Sequence, residues 1–283
     1  MVTAAWKKFP WESARYAYDG AALEAAWPDL HRGDCEAFPD AAFVKDAFRR
    51  HPGLEGALDA EATATALQSA WRAYHRGDFG AAVEQGAALG PIGANAANKA
   101  ANIYATYLEH ESETKRDLYL ASARRAEVLQ AAAPDFPNAW YFHAQALGRY
   151  AQEISIVKAL AEGVGAKVKA SLEKALALAP RHAEALIALG AYHAEIVNKV
   201  GGTLARLTYG ATRDEAVKHF ERARKLLPDS AIARIEEANG LVLLFGKTKL
   251  AEAEELYREA SKCAAHDAMQ KLDAEHAREE AEG

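Results

Sequence analysis

Asn98 and Asn102 stand four residues apart, as do Gln145 and Arg149. On a helix that spacing places each pair on one face, and Asn95, three before Asn98, joins the first. Amide N–H groups beside a guanidinium are suitable donors for a carboxylate. The chemistry on offer is therefore capture of a small polar or anionic group, or of a peptide end. Arg149 would supply the charge and the amides the direction. As an exposed groove residue it would carry little of the stability. The same row read without a ligand is a solvated polar face.

Covalent and metal chemistry finds less support. His193 and Glu195 lie two apart, so they do not share a helical face, and a metal site there is not expected. Gly163-Val164-Gly165 and Gly201-Gly202 match neither a Walker nor a dinucleotide fingerprint and follow no predicted strand. They read as loop or close-packing glycines. The ten histidines are dispersed, and no nucleophile–base pair is legible. The expectation is no enzyme and no cofactor. Cys35 and Cys263 form neither a disulfide framework nor a metal knuckle, and are expected to be reduced.

The elements that must position the polar row are repeats. Pro91, Pro134, Pro180 and Pro228 follow one another at 43, 46 and 48 residues, each after an Ala/Leu-rich run. That period marks a helical repeat array, all-α and right-handed, with four to five helix pairs. Ten residues past the prolines stand Ala101, Ala144, Gly190 and Ala238, all small; thirteen past stand Tyr104, Leu147, His193 and Leu241. A small residue one turn from a large one lets two helices lock closely. Gly190 is thus a packing position against a second helix. The second helices carry one apolar stripe each, as in Val168, Leu172, Ala175, Leu176 and Ala179, or Ala216, Val217, Phe220, Ala223 and Leu227.

Trp27 and Trp71, 44 residues apart, are each followed by His-Arg-Gly-Asp at 31–34 and 75–78. A turn explains both copies: glycine in the left-handed conformation ends one helix and aspartate caps the next. Pro28 and Pro39 interrupt the first copy, so residues 1–60 are expected as an irregular cap, 61–275 as the array, and 276–283 as a polar tail that frays. With 34 basic against 40 acidic residues the chain lacks the basic footprint of a nucleic-acid binder. No apolar run is long enough to span a membrane, and the N-terminus carries no secretory signal. A cytoplasmic protein is expected, or a periplasmic one if a leader has been removed. The sequence leaves the oligomeric state open.

These segments resemble tetratricopeptide repeats. Residues 183–192 are similar to that family's first helix, and 214–228 to its second, with Ala216, Phe220, Ala223 and Pro228 at the family's spacings. The extra dozen residues per unit lie at 152–165 and 195–212. A first helix prolonged in this way, then a Tyr-Gly-Ala-Thr turn, resembles the regulator of microtubule dynamics family and the TatT-like T component of TRAP transporters. The resemblance implies an α-solenoid whose first helices line a concave face. The inward positions it implies are Asn95, Asn98, Asn102 and Thr106, then Tyr141, Gln145, Arg149 and Gln152, then Ile187, Ala191, Glu195 and Asn198. It implies a non-enzymatic scaffold holding a protein or peptide segment. The alternative is a small-ligand accessory of TRAP-type transport, using a pore or pocket framed by the prolonged helices.

Overall fold

The computed structural model describes residues 6–282, and no strand occurs among them. Two helices, α1 (Ala22–Leu30) and α2 (Ala41–Arg50), precede five hairpins. The hairpins pair α3 (Ala60–Arg76) with α4 (Phe79–Ala88), and α5 (Ala94–Tyr107) with α6 (Ser112–Ala132). Next, α7 (Pro137–Gln152) pairs with α9 (Val164–Leu178) across the short α8 (Ile156–Ala161). Last come α10 (Ala183–Val200) with α11 (Arg213–Leu226), and α12 (Ala231–Phe245) with α13 (Leu250–Ala260). A final helix, α14 (Ala268–Glu282), closes the chain.

The phasing prolines stand in the turns, and each first helix begins three residues later, at Ala94, Pro137, Ala183 and Ala231. Where a side chain caps these starts it is local: His182 accepts from Ala185 N and Ser230 from Ala233 N. Ala101, Ala144, Gly190 and Ala238 are all buried. A Cβ on Gly190 would lie 2.8 Å from the Phe220 ring, so the absent side chain is what admits α11 to α10.

The prolonged segments differ from one another. After α7 the helix stops, and Ser155 caps the separate α8 by accepting from Lys158 N. After α10 the chain turns at Gly201 (φ 79°), runs through a wide helical turn over 202–209, and leaves it at Gly210 (φ 62°). Neither first helix runs through its whole prolonged segment: α7 ends at Gln152 and α10 at Val200.

Three expectations are corrected. Gly77 does end α3 in the left-handed conformation (φ 86°), but Asp78 does not cap α4 with its side chain. In the first His-Arg-Gly-Asp copy no helix starts at Asp34; the next, α2, begins at Ala41 and is capped by Asp40. The positive φ falls on Cys35 (53°), and Asp34 is buried. The third concerns the two ends. The tail is helical to Glu282, because α14 packs on α13 and α12 and buries Ala277. At the front, residues 31–36 do not lie only over the end of the array. They run along its inner face as far as α10, where Gly33 O accepts from Glu184 N at 3.0 Å. The α14 segment returns to the first hairpin: Tyr74 OH donates to Met269 Sδ, and His75 Nδ1 meets Asp267 at 2.9 Å.

Candidate functional site

The inner-face row of α5 is not Asn95–Asn98–Asn102. It is Asn95, Lys99, Asn102 and Thr106, at steps of four, three and four. Lys99 is about 1% exposed and gives its ammonium to Asp34 Oδ2 at 2.5 Å and Glu184 Oε1 at 3.3 Å. Asn95 Nδ2 donates to Glu36 at 3.0 Å. From α7, Asn138 Nδ2 donates to Asp34 O at 2.9 Å and to Glu36 Oε2 at 2.5 Å, while its Oδ1 faces His182 Nε2 at 2.8 Å. Amides and a cation on successive first helices thus do hold carboxylates, and the carboxylates belong to the chain's own Asp34 and Glu36. Sequence reading passed over Lys99, although its spacing of four from Asn95 and three from Asn102 marked it.

Burial opposes every charge in this cluster, and the partners decide which survive. For Asp34 burial is outweighed by His31 and Lys99, which hold its carboxyl far below the usual range. Burial likewise opposes Lys99, yet Asp34 and Glu184 keep it above the ordinary lysine value. Burial, with Asp34 adding to it, pushes Glu36 up to about 7. It also drives His31 and His182 down to about 4, so both imidazoles are neutral near pH 7. The two His-Arg-Gly-Asp copies meet here: Nε2 of His31 lies 3.3 Å from Nε2 of His75, and Trp27 packs edge-on against Trp71.

The remaining predicted residues go elsewhere. Asn98 is buried and accepts from Arg125 Nε at 2.8 Å. Asn102 donates to Gln145 Oε1 at 2.9 Å, and Gln145 in turn to Tyr141 OH at 3.2 Å. Thr106 Oγ1 donates back to Asn102 O. Arg149 binds Gln152 Oε1 at 3.2 Å and, across to α12, Glu236 Oε1 at 2.8 Å. Glu195 pairs with Lys199, and Asn198 is exposed. The four-residue anion site of Asn98, Asn102, Gln145 and Arg149 is not assembled, since Asn98 faces α6 and Arg149 is already neutralised. His193 accepts from Thr212 N at 3.1 Å and stacks on His219, away from Glu195.

Thr106, Tyr141, Gln145, Arg149, Gln152, Ile187, Ala191 and Glu195 do converge on one feature, a cavity of about 260 Å³ inside the concave face. Its walls are aliphatic and small: Ile103, Ala144, Val164, Val168, Ala188 and Ile196, with Met269 from α14. Its lining reaches solvent at exposed Leu160 and at half-buried Val200 and Tyr209, which places its mouth there. The Tyr192 hydroxyl on its wall is buried without a partner, and burial pushes it up to about 12. Asp273, which accepts from Tyr107 OH at 2.5 Å, is driven by burial to about 7. A second, more polar cavity of about 610 Å³ lies between the N-terminal segment and α14, near Lys7, Lys8, His276 and Glu279. The two share Thr106, Tyr107, Arg149, Ile232 and Glu236, so the Arg149–Glu236 pair stands between them.

The architecture is similar to that of a crystal structure of a thermophilic tetratricopeptide-repeat protein from Thermus thermophilus. The two superpose with a TM-score of 0.54 at 17% identity, over 76% of this chain and 98% of that one. The fold is tetratricopeptide-like. No family model matches the sequence, and no curated protein matches it.

This placement reverses the expectation for Arg149. Its side chain is 30% exposed and Glu236 only 15%, and burial against Arg149 is tolerable only because Glu236 outweighs it. Arg149→Ala strands that carboxylate between α7 and α12. The variant should lose about 1–3 kcal/mol in urea denaturation, against the near-neutral effect of an exposed groove residue. A midpoint equal to wild type would show that the pair contributes nothing.

Proposed function

We propose that this protein is a non-enzymatic binding protein whose concave cavity receives one apolar chain, such as the hydrocarbon of a small amphiphile. One observation carries the reading. With α14 in place, the inner surface near the prolonged segments is a largely aliphatic chamber whose lining also holds polar groups, among them Gln145 and Tyr192. A dry cavity of about 150 Å³ already admits benzene. The chamber of about 260 Å³ has room for several methylene groups and for a head group near Tyr192 or Gln145.

The fold by itself supports the broader reading of a scaffold for a protein segment, because repeat arrays use this face for partners. Against an extended acidic peptide stands the occupancy of Asn95, Lys99 and Asn138 by Asp34 and Glu36. The resemblance of 152–165 and 195–212 to T components makes an accessory role in TRAP-type transport the setting that fits a small apolar ligand.

The test is uptake of N-phenyl-1-naphthylamine, a neutral probe that fluoresces in apolar surroundings. Wild type should bind it saturably. Ala191→Trp fills the chamber from α10 and should weaken binding by about tenfold or more, equivalent to 1.4 kcal/mol per tenfold. Equal binding by the folded variant would remove the chamber from consideration.

A further inference from the structure

Eight large apolar side chains stand exposed among the described residues, and four of them, Val157, Leu160, Leu204 and Leu207, lie on the two segments that form the cavity mouth. Val157 and Leu207 are the most exposed, at 77% and 73%. Leu160 lines the mouth from α8, with Val157 one turn behind it. Val200 and Tyr209 line the mouth as well, and Leu204 and Leu207 project from the turn between them. Glycines in the left-handed conformation bound these segments, Gly163 after α8 and Gly210 after the turn, and let the chain leave the axes of the packed helices.

The same surface carries two basic groups that no carboxylate among the described residues neutralises. Residues 152–173 and 195–212 contain Lys158, Lys167, Lys169, Lys199 and Arg206 against Glu153, Glu162, Glu173 and Glu195, in a chain of formal net charge −6. Lys158 lies 3.9 Å from Glu162, Lys169 3.7 Å from Glu173, and Lys199 2.8 Å from Glu195. Lys167 and Arg206 have no ion-pair partner among the described residues. Apolar tips flanked by basic groups suit the boundary between acyl chains and anionic headgroups. A cluster of exposed apolar side chains is unusual on a free surface.

We propose that the lips of the cavity dock on a bilayer surface carrying anionic lipid, with Val157, Leu160, Leu204 and Leu207 entering the acyl boundary. The proposal rests on the reading of the chamber as a site for an apolar chain, which would then pass between bilayer and protein without crossing water. The two unpaired basic groups, Lys167 and Arg206, and the continuity of the patch with the apolar chamber favour a bilayer over a protein partner.

Flotation of the full chain with vesicles tests this. Wild type should float with phosphatidylcholine vesicles containing phosphatidylglycerol, float far less with phosphatidylcholine alone, and be released by salt. Val157→Asp/Leu207→Asp touches neither the core nor the chamber lining. It should keep the wild-type melting temperature and probe uptake while its partition onto anionic vesicles falls by about tenfold or more. Lys167→Glu/Arg206→Glu should abolish the preference for anionic vesicles. Wild type that floats with neither vesicle, or a Val157→Asp/Leu207→Asp variant that floats as wild type does, overturns the docking. So does a sedimentation-velocity dimer that this variant dissolves, which would give the patch to a second copy. Wild type that floats on anionic vesicles but never takes up the probe leaves the docking supported and removes the chamber reading instead.

Discussion

Lys99→Met should unfold this protein more easily than any other single substitution on its inner face, by about 3–5 kcal/mol. The ammonium is the common partner of Asp34 and Glu184, and all three groups are buried or nearly so. Removing it leaves two largely buried carboxylates in one site, with only the His31 imidazole, itself neutral near pH 7, as a basic partner on Asp34. The loss should appear as a lower urea midpoint and as faster amide exchange over residues 31–36, the segment that Lys99 ties to α5. A second substitution separates charge from packing. Lys99→Met combined with Asp34→Asn and Glu184→Gln should recover part of the loss, because breaking a buried pair costs more than replacing all of it with neutral groups. A Lys99→Met midpoint equal to wild type would mean that the cluster is far wetter than its burial indicates.

Phe220→Ala comes second, at about 3–5 kcal/mol. The ring of this α11 residue is gripped from two sides. A Cβ on Gly190 of α10 would lie 2.8 Å from it, and one on Gly240 of α12 would overlap it outright. One side chain therefore sets the distance between two successive first helices, and truncating it opens a void that neither helix can fill without moving. The converse substitution tests the same contact. Gly240→Ala should cost about 1–3 kcal/mol by overpacking, and Phe220→Leu added to it should return part of that stability. Strict additivity of the two would show that the ring and Gly240 do not meet.

Much of this was legible in one dimension. The proline phase marked the turns before four first helices, which begin three residues past each ring, because a ring that blocks helix continuation acts locally. Gly190 read as a packing position, and the stripe ending at Leu227 read as a buried face, because helical periodicity converts spacing directly into direction. The inner-face row was half legible. Asn95, Asn102 and Thr106 were placed on it and Lys99 was not, since a lysine in an alanine-rich helix looks like solvent-facing charge until its partners are known.

The partners are what the sequence could not supply. Asp34 lies 65 residues from Lys99 and 104 from Asn138, and no period or motif connects them. A helix's own residues determine its face and its ends through interactions within a few positions. Whether that face meets water, a ligand or another part of the chain depends on long-range packing. In this protein such packing laid segment 31–36 and α14 inside the array. What remained exposed on the concave side was an apolar chamber rather than an open polar groove.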